Sequence, residues 1–158
     1  MDITIIPSLW FDGDAATAAE FYASVFPDSR VIDRATYPEG TPLAGQVVSV
    51  TFELAGQRFV GINGGPQFPF TEAVSFMVPV ETQDEVDHYW NALLADGGEE
   101  SQCGWLKDRF GLSWQIVPEA LDRYLADPDR AAAGRVMQAM LRMRKIVIAD
   151  LDAAYAGE

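Results

Sequence analysis

Two helical stripes of apolar side chains recur at a fixed separation in this 158-residue chain. Each stripe has the i, i+3, i+4, i+7, i+8 spacing of a helix that packs one face on a core. The members stand 68 positions apart and pair Ala18 with Val86, Phe21 with Tyr89, Tyr22 with Trp90, Val25 with Leu93 and Phe26 with Leu94. Such a repeat indicates a duplicated supersecondary unit, so we expect two copies of one module.

Strand patterns flank both stripes. Residues 47–54 alternate apolar and polar side chains, which is typical of a strand with one buried face. Similar patterns predict strands at 5–11, 29–37 and 57–63 in the first copy and at 73–81, 102–108 and 112–117 in the second. The 68-residue offset also aligns Pro7 with Ser75 and Trp10 with Val78. The duplicated unit is therefore expected to be strand–helix–strands.

The helix boundaries are marked by capping residues. Asp14 is predicted to be the N-cap of the first helix, and Thr82 with Glu85 has the spacing of a capping box for the second. After Pro118, the pattern predicts a short helix over 119–126 and one long helix over 130–155. This tail is expected to cover its own sheet or to pack against a second subunit, and the pattern does not separate the two.

Composition excludes several classes of function. The 24 acidic and 11 basic side chains give a net charge of −13, which argues against nucleic acid and anionic membrane surfaces as partners. No apolar run has the length of a membrane span, and a single cysteine, Cys103, excludes an intrachain disulfide. A cytoplasmic protein is expected. The one histidine, His88, cannot form a multi-histidine metal site and is interpreted as a surface residue.

Several segments resemble a known family. Residues 102–118 read QCGWLKDRFGLSWQIVP, residues 7–13 read PSLWFDG and residues 63–68 read NGGPQF. With the segments around Ala18, Val25 and Val86, they resemble the PhnB-like proteins of the glyoxalase/bleomycin-resistance (vicinal oxygen chelate) superfamily. Many members carry the name 3-demethylubiquinone-9 3-methyltransferase. The resemblance covers nearly the whole chain, as far as residues 145–151.

The resemblance implies an α+β fold of paired βαβββ modules with a C-terminal helical tail. On this interpretation, residues 1–66 form the first module, 67–118 the second and 119–158 the helical extension, within one structural domain. Many members of the superfamily are dimers, so a homodimer is expected. Each module would contribute a curved sheet, and the concave faces would hold the site.

In metal-dependent relatives, side chains on the first and last strands of each module bind a divalent ion. The corresponding places in this sequence are Pro7, Asn63, Ser75 and Gln115. These residues offer neither an anion nor an imidazole, and neutral oxygen ligands alone hold a divalent ion weakly. We therefore expect no bound metal or other cofactor, or at most a weakly bound divalent ion.

Strand alternation suggests which side chains line the concave faces, because residues two apart share a face. Three sets combine polar and apolar side chains and are expected to line the site: Phe59, Gly61 and Asn63; Ser75 and Met77; and Ser113, Gln115 and Val117. The opposite faces are apolar and should contact the helices. The candidate ligand-binding residues are Asn63, Ser75, Met77, Cys103, Trp105 and Gln115. Cys103 is interpreted as an inert thiol on a strand of this sheet.

The sequence predicts a binding protein for a small, largely apolar or aromatic molecule. A lyase, isomerase or dioxygenase with a weakly held metal is the alternative, and a scaffold that dimerises through its tail is a third. Lys107, Asp108 and Arg109 form either an anion-binding group or, more simply, a charged turn. Methyl transfer is not expected, because the pattern lacks the alternating strands and helices of a doubly wound cofactor fold.

Overall fold

The computed structural model describes residues 3–158 and divides the chain into two compact units, one ending at Phe70 and the other spanning Thr71–Glu158. The first unit contains β1 (Ser8–Phe11), α1 (Ala15–Val25), β2 (Arg30–Thr36), β3 (Val47–Leu54) and β4 (Gln57–Asn63). The second contains β5 (Ser75–Val80), α2 (Gln83–Leu94), β6 (Glu99–Glu100), β7 (Trp105–Lys107), β8 (Ser113–Pro118), α3 (Glu119–Leu125), α4 (Arg130–Met140) and α5 (Ile148–Ala156).

Both units contain the same four-stranded mixed sheet. The strand order is β1-β4-β3-β2 in the first and β5-β8-β7-β6 in the second. In each sheet the first strand pairs in parallel with the last, and the remaining neighbours are antiparallel. The predicted α+β class and the duplicated βαβββ module with a helical tail are confirmed. Within residues 3–158, no helix is long and apolar enough to cross a membrane.

The 68-residue offset holds for the helices but not for the first strands. Residues 12–14 separate β1 from α1, whereas only residues 81–82 separate β5 from α2. Phe11, which is buried at the end of β1, therefore corresponds to the buried Val80 at the end of β5. The expected alignments of Pro7 with Ser75 and of Trp10 with Val78 are wrong by one residue, because one connection is a residue longer.

The two helices begin with different caps. Thr82 Oγ1 accepts a hydrogen bond from the Glu85 amide and the Glu85 carboxylate accepts one from the Thr82 amide, which confirms the predicted capping box. Asp14 occupies the N-cap position of α1, but its side chain makes no capping bond. Instead, the Ala15 amide donates to Asn63 Oδ1 at 2.9 Å. A residue distant in sequence caps α1.

In the first sheet, the prediction of which β4 face contacts the helix is wrong. Phe59 is buried and stacks on Phe52 at 5.5 Å between ring centroids, and Phe52 in turn contacts Tyr22 of α1. A Cβ at Gly61 would lie 3.2 Å from the Ala15 Cβ. The face of β4 that contacts α1 therefore carries Phe59, Gly61 and Asn63. The Phe59 ring fills the core, and the absence of a side chain at Gly61 lets α1 approach the strand closely.

In the second sheet, the predicted faces are confirmed. Leu106, Trp114 and Ile116 are buried on the side of the sheet that α2 contacts, together with Trp90 of the helix. Phe76 packs edge-on against Trp114 with 5.6 Å between ring centroids. The alternate side chains of β5, β7 and β8 consequently point away from α2.

The tail consists of three helices packed on its own unit. The predicted long helix over 130–155 is wrong, because α4 ends at Met140 and residues 141–147 are not helical. A core cluster joins the end of β8 to the tail and comprises Val117, Leu121, Val136, Ile146 and Leu151. Burial of this cluster holds the tail in place, although Met137 and Leu141 remain exposed.

Hydrogen bonds fix the segment between α4 and α5. The Cys103 amide donates to the Met143 carbonyl at 2.8 Å, and the Gly104 amide donates to the Arg144 carbonyl at 2.7 Å. The Gln83 side chain donates to the Ile146 carbonyl and accepts from the Ile148 amide. The α4–α5 segment therefore follows the turn before β7 and the start of α2 instead of continuing as a helix.

Three smaller differences concern the strands. β1 begins at Ser8, and Ile5 and Ile6 at the start of the predicted strand are exposed. The two-residue β6 was not predicted from the sequence. β7 begins only at Trp105, so Cys103 lies in the preceding turn with a left-handed φ of 58° and not on a strand.

We expect Thr82→Ala to lower the free energy of unfolding by about 1 kcal/mol, because α2 loses the oxygen that accepts from the Glu85 amide. Urea denaturation would measure the difference. Thr17→Ala, on the exposed surface of α1, is the matched control and should change the value by less than about 0.5 kcal/mol. An equal loss in both variants would contradict the capping role.

We expect Asn63→Ala to lower the free energy of unfolding by about 1–2 kcal/mol, since Asn63 caps α1 and its Nδ2 also donates to the Val47 carbonyl. The same urea measurement on Asn91→Ala, an exposed asparagine of α2, provides the control. Equal stability of Asn63→Ala and the unmodified protein would show that the two hydrogen bonds do not stabilise the fold.

Candidate functional site

Six side chains form two rows on the face of the second sheet that points away from α2. Cross-strand register places Trp105, Gln115 and Met77 side by side on β7, β8 and β5, and places Lys107, Ser113 and Ser75 in the next row. We call this surface the distal face. Adjacent strands lie about 4.8 Å apart and the rows are separated by about 7 Å along the strands. One row is mainly apolar and the other is polar.

The turn between β7 and β8 is built around a buried carboxylate. Asp108 Oδ1 accepts from the Phe110 and Leu112 amides, and Oδ2 accepts from Trp114 Nε1 at 2.8 Å. Asp108 is only 3% exposed, so these donors replace the water that an ionised carboxylate needs. The turn thereby fixes the register that places Lys107 beside Ser113.

Two residues of the distal face contact each other directly. Gln115 Nε2 donates to Ser75 Oγ at 2.8 Å, across the β5–β8 pair. This bond leaves the Ser75 hydroxyl proton and Gln115 Oε1 available to a ligand. Ser75 and Gln115 are half-buried, whereas Met77 is 55% exposed.

Lys107 forms an ion pair at the edge of the polar row. Its Nζ lies 2.6 Å from Glu72 Oε1, in the segment before β5. The hydrogen bond from Lys107 lowers the pKa of Glu72 from its ordinary value, and the same bond raises the pKa of Lys107. Both side chains are therefore charged at neutral pH. Screening by water keeps such a partly exposed pair weak, so it can open at little cost.

The helical tail covers one end of the distal face. Val117 follows Gln115 on the same side of β8 and is buried in the core cluster with Val136 and Leu151. A ligand on the distal face is consequently limited to the region between Val117 and Ser113.

The structure brings together four of the six candidate residues, namely Ser75, Met77, Trp105 and Gln115. Asn63 belongs to the first unit, where its Oδ1 accepts from the Ala15 amide and its Nδ2 donates to the Val47 carbonyl. Cys103 lies in the turn before β7, where its amide contacts the tail. Lys107 and Ser113 were not among the six candidate ligand-binding residues. Strand alternation did place Ser113 on the face of the site, and Lys107 was considered only as part of an anion-binding group or a charged turn.

The first unit does not repeat this arrangement. Register places Thr51 of β3 beside Val60 of β4, and Val60 beside Ser8 of β1. These are the counterparts of Trp105, Gln115 and Met77, as judged from the equivalent strand pairs. A valine replaces Gln115 and a threonine replaces Trp105, and the next row of the first sheet holds Trp10, Ile62 and Ser49. The first sheet therefore lacks the lysine and the glutamine that the distal face provides.

The residues carried over from metal-dependent relatives do not fit a divalent ion. Asn63 uses its amide oxygen as a helix cap, and Ser75 and Gln115 are uncharged and hydrogen-bonded to each other, so they offer a cation no negative charge. Pro7 offers only its backbone carbonyl, which accepts from the Val60 amide at 3.0 Å. Within residues 3–158, no group of three or more His, Cys, Asp or Glu side chains could hold a metal ion. His88 is exposed on α2 and is not part of such a group.

The first unit also contains a cleft of about 420 Å³ beside the start of α1. Tyr37, Leu43 and Gln46 line it together with Asp12 and Asn63. Asn63 already makes hydrogen bonds to Ala15 and Val47 within the fold, so it is not free to orient a ligand there.

Comparisons with known proteins agree with this fold. The family model described as 3-demethylubiquinone-9 3-methyltransferase matches residues 3–117. The match ends on β8, so the tail that we included in the resemblance lies outside it. No curated protein matches the chain.

Solved structures provide a second comparison. The putative 3-demethylubiquinone-9 3-methyltransferase, PhnB protein, of Bacillus cereus is 34% identical, covers 73% of this chain and 99% of its own, and has a TM-score of 0.66. Protein PA1353 from Pseudomonas aeruginosa (19% identity, TM-score 0.61) covers 74% of this chain and 98% of its own. The fosfomycin resistance protein FosX from Mesorhizobium loti (11% identity, TM-score 0.57) covers 80% and 99%. The last two share the fold alone.

The matched family model spans both βαβββ modules, and the Bacillus cereus structure matches at 34% identity. The chain therefore belongs to the 3-demethylubiquinone-9 3-methyltransferase (PhnB-like) family.

Proposed function

We propose that this protein binds a small, largely apolar or aromatic molecule on the distal face of its second sheet, without a metal ion. The observation that carries the proposal is the row of Trp105, Gln115 and Met77 beside the polar row of Lys107, Ser113 and Ser75. Small-molecule sites typically combine apolar walls with a few hydrogen-bonding groups.

The apolar row supplies the binding free energy in this proposal. Met77 is 55% exposed in a strand that is otherwise part of a packed sheet. A thioether beside an indole provides a polarisable surface that accommodates flat rings. Gln115 lies between them and can accept one hydrogen bond through Oε1, which would orient the ligand.

The family name does not support methyl transfer. Methyltransferases with a doubly wound fold bind their cofactor at a glycine loop that opens a helix after a parallel strand. Within residues 3–158, both sheets are mixed and the first strand of each pairs with the last. We therefore take the name as a family label and propose binding as the activity.

Benzyl alcohol titrated into ¹⁵N-labelled protein tests the proposal. We expect benzyl alcohol to shift the Trp105 indole signal. Met77→Ala should bind it about tenfold more weakly, because the ring of the ligand can no longer bury apolar surface against the methionine side chain. Met137→Ala removes an equally flexible, 40%-exposed methionine from α4 and serves as the control. Shifts that are confined to other surfaces, or an equal loss in both variants, would contradict the proposed site.

Metal analysis of protein purified without chelators tests the metal-free part of the proposal. We expect far less than one equivalent of zinc, nickel, iron or manganese, because the two rows contain no acidic side chain. The neighbouring carboxylates Glu72 and Glu99 both lie beside the Lys107 ammonium group, which repels a cation. Stoichiometric metal that survives dialysis would instead favour the metal-assisted lyase, isomerase or dioxygenase.

We also propose that the chain forms a homodimer. Membership of the family supports this proposal, and so do the exposed apolar side chains Ile3, Ile5 and Leu141. Sedimentation velocity of the full chain at micromolar concentration should give twice the chain mass of 17.4 kDa. A single species of 17.4 kDa at these concentrations would contradict the proposal.

A further inference from the structure

The three side chains of the polar row can each donate hydrogen bonds, but no single acceptor group receives bonds from all of them. Lys107, Ser113 and Ser75 stand side by side on three adjacent strands. The Ser75 oxygen accepts from Gln115, so its hydroxyl proton is available to another group. The ammonium group of Lys107 carries three donors. An acceptor above this row could receive hydrogen bonds from all three side chains.

Ser113 is the most unusual member of the row. The residue is 1% exposed, and its Oγ has no hydrogen-bond partner among residues 3–158. A buried hydroxyl without a partner is costly and rare in folded proteins. Ser113 follows the alternation of Gln115 and Val117, so its side chain points to the distal face. A ligand group could therefore reach this hydroxyl from that side once the side chains that cover it move.

Glu72 shows which chemistry suits the row. It lies outside the strand register, three residues before Ser75, yet its carboxylate binds Lys107 at 2.6 Å. The Glu72 side chain is 61% exposed and that of Lys107 is 33% exposed. The flexible, exposed Glu72 carboxylate thus acts as an internal anion bound to Lys107. An external anion would compete with it for the Lys107 ammonium group.

We infer that the ligand of the distal face carries an oxyanion, which Lys107, Ser113 and Ser75 bind after it displaces the Glu72 carboxylate from Lys107. The inference rests on the proposed function and specifies its ligand as a small ring or apolar body bearing a sulfonate, carboxylate or phosphonate group. The spacing of about 7 Å between the rows suits a ring over Trp105 and Met77 with the oxyanion on the serines.

The net charge of −13 does not prevent this binding. At physiological ionic strength the Debye length is about 8 Å, so distant acidic side chains are largely screened. Within the two rows, Lys107 is the only ionisable side chain, and Glu99 of β6 lies beside it in register. The anion takes the place of the Glu72 carboxylate at the Lys107 ammonium group, so the number of negative charges next to Lys107 does not increase.

Two probes distinguish the contribution of the oxyanion to the affinity from that of the ring. Benzenesulfonate carries one negative charge, which its three acceptor oxygens share. Benzenesulfonamide has the same ring and sulfonyl group without the charge. Titration calorimetry at 0.15 M salt, with the Trp105 indole signal to locate the site, measures both affinities. We expect benzenesulfonate to bind about tenfold more tightly than benzenesulfonamide.

Three variants test the residues. Glu72→Gln should raise the benzenesulfonate affinity about fivefold, because the internal competitor loses its charge, and should leave benzenesulfonamide unchanged. Lys107→Gln should abolish the preference for benzenesulfonate. Ser113→Ala should weaken benzenesulfonate binding about threefold without lowering the urea midpoint, since the hydroxyl has no hydrogen-bond partner among the described residues.

Asp87→Asn is the matched control for Glu72→Gln. It removes the same charge from a second lysine–carboxylate pair, in which Asp87 lies 2.6 Å from Lys145 and the lysine is likewise 33% exposed. Its benzenesulfonate affinity should equal that of the unmodified protein. An equal rise in both variants would show that net charge alone controls the affinity and would overturn the inference.

The outcomes separate the inference from the proposed function. If both probes bind the distal face equally and Glu72→Gln changes neither affinity, the oxyanion inference is overturned and the proposed function stands. If neither probe shifts the Trp105 signal and benzyl alcohol does not bind either, the proposed function fails and the inference fails with it.

Discussion

The buried carboxylate of Asp108 determines the geometry of the second sheet. It accepts hydrogen bonds from the Trp114 indole and from two amides of its own turn, so it ties the β7–β8 connection to the core beneath it. Such bonds to a charged acceptor are strong, and breaking them inside the protein would leave a buried charge without partners. The register that places Lys107 beside Ser113 and Trp105 beside Gln115 depends on this turn.

The two units show how one fold can be used differently. Both bury an aromatic residue of the last strand against the helix, Phe59 in the first and Trp114 in the second. On the opposite side of the sheet, Val60 of the first unit corresponds to Gln115 of the second. The core preserves the fold because packing tolerates only similar volumes, whereas side chains on the other face are free to acquire a separate function.

The tail links the fold to the candidate site. Its core cluster covers Val117, two residues beyond Gln115 on the same strand. Its connecting segment binds the backbone of Cys103 and Gly104, directly before Trp105. The conformation at Gly104 has a φ of 82°, and a Cβ there would lie 2.8 Å from the Ile116 carbonyl oxygen, so glycine is required at this position. The tail thus supports the strand that carries Trp105.

The sequence by itself determined the duplicated module, the two helices, the capping box at Thr82 and the faces of the second sheet. These features follow from local periodicity, since a helix or strand with one strongly apolar side can bury only that side. The tertiary structure decided what periodicity leaves ambiguous. Both sides of β4 are apolar enough to face a helix, so only the contact of Gly61 with Ala15 shows that Asn63 lies on the side of α1, where it caps the helix. The partners of Ser113 and Lys107 likewise depend on strands and side chains distant in sequence, which no local pattern brings together.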